Sequence, residues 1–151
     1  MALPLEKQEL LIKRAMEIAA EAAERGDRPF AGILADENGS IVIECGNTVN
    51  STNNAAAHAE INLLYVAGEK IKKRDLSSYL FISNAAPCPM CATALIKARI
   101  TRFYFGATNE VTMVPNITMD EVFTKVPYEI EVHGGILGQE CAQQISELSS
   151  I

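Results

Sequence analysis

Apolar residues along this chain change their spacing in a set order, and that order leaves few architectures open. From Glu6 to Arg25, the residues Ile12, Ala15, Met16, Ala19, Ala22 and Ala23 recur at the i, i+3, i+4, i+7 spacing of a helix. Gly26 stops that helix, since glycine takes a left-handed cap most easily. Two apolar runs follow, Phe30 to Ala35 and Ile41 to Cys45. Between them lies Asp36-Glu37-Asn38-Gly39-Ser40, and its central Asn-Gly is a strong hairpin signal. A polar loop is expected from Asn47 to Asn54. The pattern then turns helical from Ala55 to about Lys73, with Ile61, Leu64 and Tyr65 on one side. Tyr79 to Ile82 reads as a short buried strand. Pro87 is expected to open a helix reaching about Arg99, because proline suits a first helical turn. Phe103-Tyr104-Phe105 is another strand, stopped near Gly106, and residues 108–118 look irregular. Met119 to Phe123 reads as a short helix, Tyr128 to Val132 as a strand and Leu137 to Leu148 as a last helix. The order α-β-β-α-β-α-β-α-β-α predicts an α/β protein with a single mixed sheet covered by helices on both faces.

Composition narrows the class. A chain of 151 residues, 48% of them apolar, has the size of one domain with a real core. We therefore expect residues 1–151 to form a single domain. Four cysteines are too few for a disulfide scaffold. The N-terminal Met1-Ala2-Leu3-Pro4-Leu5-Glu6-Lys7 lacks the basic-then-apolar pattern of a signal peptide. No stretch reaches the ~18 apolar residues of a spanning helix. The expectation is a soluble cytoplasmic protein without a membrane partner, in which thiols stay reduced. Cysteines at short spacing are then read first as metal or catalytic groups. The 13 Lys and Arg against 19 Asp and Glu give a net charge of −6, which argues against a protein that coats nucleic acid.

Two motifs carry chemistry. His58-Ala59-Glu60 and Pro87-Cys88-Pro89-Met90-Cys91 each fall at a predicted helix start. Cys88 and Cys91 at i, i+3 can present both sulfurs on one side. Two thiolates and an imidazole are ligands that zinc prefers. A helix N-terminus favours the ionised thiol. Three protein ligands with one open position are the arrangement of catalytic zinc. Each motif alone is weak. An isolated H-x-E is usually an ordinary histidine. An isolated C-x-x-C is equally a redox pair, half a structural zinc site or two buried thiols. The other fourth-ligand candidates, Cys45, Cys141 and His133, read as core or turn residues. Residues two apart on a regular helix point to nearly opposite sides, so spacing does not bring His58 and Glu60 together.

In combination, H-x-E followed by P-C-x-x-C is the zinc deaminase signature, whose glutamate is a general acid/base rather than a ligand. Here the chain resembles the cytidine deaminase-like superfamily, and within it the bacterial nucleoside and nucleobase deaminases. That group includes guanine deaminases, yeast-type cytosine deaminases and tRNA wobble-adenosine deaminases. Arg28-Pro29-Phe30-Ala31-Gly32, Gly46-Asn47, His58-Ala59-Glu60, the P-C-P-M-C run and Tyr104-Phe105-Gly106-Ala107 all fall in family order. The resemblance implies a three-layer fold around a five-stranded mixed sheet. It implies Zn2+ held by His58, Cys88 and Cys91, with Glu60 shuttling a proton from water to the substrate and the departing ammonia. It also implies a substrate site formed by Asn47, Phe30, Pro87 and the backbone N–H groups of Ala59 and Cys88. Homodimers are usual in the family.

Departures from the family pattern bear on the substrate. The family often has Glu where this chain has Ala86. The second acidic shuttle of guanine deaminases falls on Val111, beside Glu110, which we take as a candidate substrate contact. The wobble-adenosine enzymes have Asp where Asn109 stands. The run from Glu131 to Ala142 is closer to theirs, but their basic tail is replaced by Ile145-Ser146-Glu147-Leu148-Ser149-Ser150-Ile151. The main basic cluster, Lys70, Lys72, Lys73 and Arg74, reads as a solvated helix end. RNA binding relies on phosphate neutralisation. The expected partners are therefore a small heterocyclic amine of guanine or cytosine type and water, and not nucleic acid. The alternatives are a tRNA wobble-adenosine deaminase and an inactive zinc-stabilised protein. The retention of Glu60 speaks against the last.

Overall fold

The computed structural model describes residues 1–108 and 114–149. Helix α1 (Leu5–Glu24) buries Leu11, Ile12, Ala15, Ile18, Ala19 and Ala22, a stripe at helical period. It ends at Arg25, and Gly26 follows at φ +90°. Strands β1 (Ala31–Ala35) and β2 (Ile41–Gly46) form the expected antiparallel hairpin. The Asp36 carboxylate holds the turn by accepting the N–H groups of Asn38 and Ser40, and Gly39 takes φ +83°.

The segment expected as a polar loop contains a one-turn helix, α2 (Val49–Thr52). Helix α3 (Ala59–Lys70) begins four residues later than the periodicity suggests. Asn54 is the cause. Its side chain accepts the Ala56 N–H and its carbonyl accepts the Ala57 N–H, a local turn that competes with helix. The side that carries Ile61, Leu64 and Tyr65 is not the buried one. Ala59, Glu60, Leu63 and Ala67 face the sheet, Ile61 and Leu64 are only partly covered, and Tyr65 is 73% exposed.

Strand β3 (Leu80–Ala85) leads into α4 (Pro89–Lys97), which starts two residues after Pro87. Pro89 explains the shift. A residue before proline avoids helical angles, so Cys88 is extended (φ −68°, ψ 169°) and caps the helix, with Pro89 in its first turn. Strand β4 (Arg102–Ala107), α5 (Met119–Phe123), β5 (Glu131–His133) and α6 (Gly138–Ser149) complete the order. The last strand is shorter, and lies further along, than the expected Tyr128 to Val132.

The sheet order is β2-β1-β3-β4-β5. β1 is antiparallel to both neighbours, whereas β3, β4 and β5 are parallel. Alternate strand residues feed two cores. Ile33, Ile82 and Tyr104 pack with Ile12, Ala15 and Cys141 of α1 and α6. Leu34, Phe81 and Phe103 pack with Leu63, Ala67 and Leu95 of α3 and α4. The result is the expected three-layer α/β/α sandwich with a five-stranded mixed sheet. It points the N-termini of α3 and α4 toward the carboxyl end of β3, the kind of edge where open α/β sheets bind ligands.

Candidate active site

His58 and Cys88 occupy equivalent positions: each is the extended N-cap of a helix, α3 and α4 respectively. Cys91 lies one turn into α4 and is fully buried. His58 Nδ1 is 3.6 Å from Cys88 Sγ and 3.4 Å from Cys91 Sγ. All three donor atoms lie within 4.8 Å of one another, the one such His/Cys/Asp/Glu cluster among the described residues. Zinc bonds of ~2.3 Å to sulfur and ~2.0 Å to nitrogen, meeting at a tetrahedral angle, separate two donors by about 3.5 Å. The donor set suits zinc, and the two His58–sulfur distances match that separation.

One of the two thiols, Cys88, is already primed for a cation. The hydrogen bond from Cys91 holds the Cys88 thiol below its ordinary range, and the same contact pushes Cys91 up. His58 is raised, chiefly by its hydrogen bond with Cys88. The two helix N-termini add partial positive charge next to the sulfurs.

Glu60 is the second residue of α3 and is only 6% exposed. Its carboxyl is within hydrogen-bonding reach of Cys91 and feels the charges of Cys88 and His58. Burial pushes its pKa up to about 7. His58 and Glu60 converge despite their two-residue spacing because His58 is a cap. Its extended backbone (φ −67°, ψ 155°) takes its side chain off the helical cylinder. The close seat of α3 on the sheet needs Gly32. A Cβ there would meet the Ala59 carbonyl oxygen at 3.3 Å and the Glu60 nitrogen at 3.5 Å. An isolated glycine in a strand is a sign of such an approach.

The expected substrate contacts have the following surroundings. Ala59 and Pro87 are buried beside the two caps. Asn47 is 2% exposed. Its Oδ1 accepts the Val49 N–H at 2.9 Å, so it caps the chain entering α2. Its Nδ2 has no partner among the described residues. Phe30 is partly exposed just before β1. Glu110, with Asn109 and Val111, lies outside the described residues. Cys45, Cys141 and His133 stay apart from the cluster. His133 stacks on Tyr104 and pairs with Glu131 at 2.8 Å.

Two positioning residues carry no sequence signal. Asn84 is fully buried, and its side chain brackets Pro29 and Ala31. Asp27 accepts the Ser51 N–H and hydroxyl, both at 2.8 Å, and so pins α2. A surface groove of about 340 Å³ is lined by Arg25, Cys45, Asn62 and Tyr65 and includes none of the three donors.

Residues 5–107 match the family model for the cytidine and deoxycytidylate deaminase zinc-binding region. A tRNA-specific adenosine deaminase of Haemophilus influenzae is 32% identical over 145 residues, 93% of this chain and 82% of that protein. A solved structure from work on A-to-I editing by tRNA:A34 deaminases superposes with a TM-score of 0.76 at 28% identity, covering 89% of this chain and 97% of the other. A guanine deaminase structure from Nitrosomonas europaea gives a TM-score of 0.82 over 100% of this chain and 87% of its own, and at 21% identity it speaks for the fold alone. Five strands in the family order, zinc-spaced donors on two helix caps and the match over residues 5–107 make this chain a member of the cytidine and deoxycytidylate deaminase family, zinc-dependent hydrolases of C–N bonds.

Proposed function

We propose that residues 1–151 form one hydrolytic deaminase domain that removes the exocyclic amino group of a small nucleobase or nucleoside-like heterocycle as ammonia. His58, Cys88 and Cys91 hold the zinc ion, which when bound supplies the Lewis acidity that activates water near neutral pH. Glu60 takes a proton from the attacking water. It passes that proton to a ring nitrogen, then takes the proton of the newly added hydroxyl and delivers it to the amino group, so that the C–N bond breaks and ammonia leaves as the ring C=O forms. Pro87, Ala59 and the Cys88 backbone border the heterocycle, Asn47 offers its free Nδ2 to a ring or sugar acceptor, and Phe30 packs on the ring. Glu110 remains a candidate contact.

The observation that carries this reading is the buried Glu60 carboxyl beside the donor cluster, with a pKa of about 7. A group poised there both accepts and returns a proton, a property that a purely structural zinc site does not need.

The tRNA-specific relatives support a second reading, the same reaction on a flipped tRNA adenosine. The placement of charge favours the small substrate. Lys70, Lys72, Lys73, Arg74, Lys97 and Arg99 are exposed at the C-terminal ends of α3 and α4. The 12 residues of α3 span about 18 Å, so these cations lie far from the caps that carry His58 and Cys88. A second copy of the chain is the expected protein partner. The test is an ammonia-release screen of zinc-loaded protein on guanine, cytosine, adenine, their nucleosides and aminated triazines and pterins. Release from one of these, absent in Glu60→Gln, is the expected result. Release only from a tRNA anticodon stem-loop overturns the small-substrate reading.

A further inference from the structure

Arg28, Pro29 and Phe30 form a tight turn in which the Phe30 N–H donates to the Arg28 carbonyl at 2.8 Å. The proline ring fixes one backbone angle at its centre. Asn84 fixes the rest. Its Nδ2 donates to the Pro29 carbonyl at 2.9 Å, and its Oδ1 accepts the Ala31 N–H at 3.0 Å. Regular pairing of β1 with β3 reaches only Ile33 and Ile82 at this end. The Asn84 amide replaces the missing rung, where the chain turns toward the site. The turn therefore presents two side chains in a preset relation. The Arg28 guanidinium stands 5.8 Å from the centroid of the Phe30 ring. Two residues beyond Phe30, Gly32 lies against the start of α3, where a Cβ would meet the Ala59 carbonyl oxygen at 3.3 Å and the Glu60 nitrogen at 3.5 Å, so the turn enters β1 next to the reacting groups.

The neighbouring arginine is committed elsewhere. Arg25 donates from Nε to Asp27 at 3.3 Å and from its terminal nitrogen to the Asn47 carbonyl at 3.1 Å. Arg28 is exposed and has no ion pair among the described residues, in a chain with net charge −6. A guanidinium is a planar fork of donors that matches phosphate oxygens, and it is weakly hydrated for a cation.

We propose that Arg28 is a specificity-determining residue that receives a phosphate group on the substrate, so that a phosphorylated nucleoside binds in preference to its neutral parent. The proposal rests on the nucleobase-deaminase reading of the adjoining site. One charge-assisted contact predicts a preference of about 10- to 100-fold.

The test uses zinc-loaded full-length Glu60→Gln, which blocks turnover, and titration calorimetry. The probes are adenosine, guanosine and cytidine, their 5′-monophosphates, and single-stranded trinucleotides carrying each base centrally. For the base that fits, the monophosphate should bind about 10- to 100-fold more tightly than the nucleoside. Adding Arg28→Ala should bring that ratio near one with the nucleoside affinity unchanged, and Arg28→Lys should keep part of it. Equal affinity of nucleoside and monophosphate with Arg28 intact overturns the proposal, as does a preference that survives Arg28→Ala. An Arg28-dependent preference seen only with a trinucleotide assigns the phosphate to an RNA backbone and overturns the mononucleotide source. If no probe binds, this proposal fails, and the nucleobase reading is then decided by the ammonia-release screen, which includes the free bases. Binding of neutral nucleosides alone separates the two failures.

Discussion

A glutamate two positions from a metal-ligating histidine would be useless to it if both lay on the helix cylinder. Here His58 is a cap and Glu60 is the second residue of α3, so the carboxyl reaches the thiols. Glu60→Gln keeps the shape and removes the titrating group. It is expected to retain about one zinc per chain by elemental analysis and to lose ammonia release by roughly 10²-fold or more. Full activity would remove Glu60 from the proton path. Cys88→Ala combined with Cys91→Ala should abolish stoichiometric zinc, and zinc that survives both changes contradicts the assignment of ligands. The donors were readable from sequence because residue type and spacing are themselves the chemical requirement. The convergence of His58 with Glu60 was readable only through family likeness, because it depends on one backbone angle at a cap. Asn84 and Asp27 were not readable at all. A buried asparagine or aspartate gains its role from what the fold brings to it, and no local pattern records that.

At the scale of elements, two short segments are each pinned by a buried side chain, the turn before β1 by Asn84 and α2 by Asp27. Asp27 ties α2 to the end of α1. Burial works to raise its pKa, but the Ser51 N–H, the Ser51 hydroxyl and Arg25 outweigh it and hold the carboxyl below its ordinary 3.8. A carboxyl depressed by folding stabilises the fold above its unfolded pKa, and the stabilisation fades as pH falls through the lower folded value. Acid unfolding followed by circular dichroism should therefore steepen below about pH 4. Asp27→Asn should flatten part of that slope, and an unchanged slope would show that the clamp contributes nothing. Gly32→Ala tests the seat of α3. Its new methyl would press on the Ala59 carbonyl and is expected to cost about 1–3 kcal/mol while weakening zinc retention. The order of elements and the sheet class followed from period and turn chemistry. Their boundaries followed less well. The start of α3 was set by the Asn54 turn, and the start of α4 by which of two prolines occupies the first helical turn. The buried side of α3 is not legible from hydropathy, because it keeps Glu60 inside and leaves Tyr65 outside.

For the molecule as a whole, charge separates the two substrate readings. A substrate with no more than one phosphate should tolerate rising salt, whereas tRNA binding would weaken steeply between about 50 and 200 mM. Ammonia release measured across that range decides between them. The metal also joins two helices from distant parts of the chain, so chelation should lower the thermal midpoint and added zinc should restore it. No helix among the described residues is long and apolar enough to cross a membrane. The division of labour at the site has an evolutionary consequence. The reacting groups sit at the starts of two helices packed on the central sheet, whereas the proposed substrate contacts Phe30, Asn47 and Arg28 sit on connecting segments outside the regular elements. Connecting segments accept substitution and insertion far more readily than packed helices. A lineage built on this scaffold can therefore exchange one substrate for another by rewriting its loops, with the bond-breaking apparatus inherited intact.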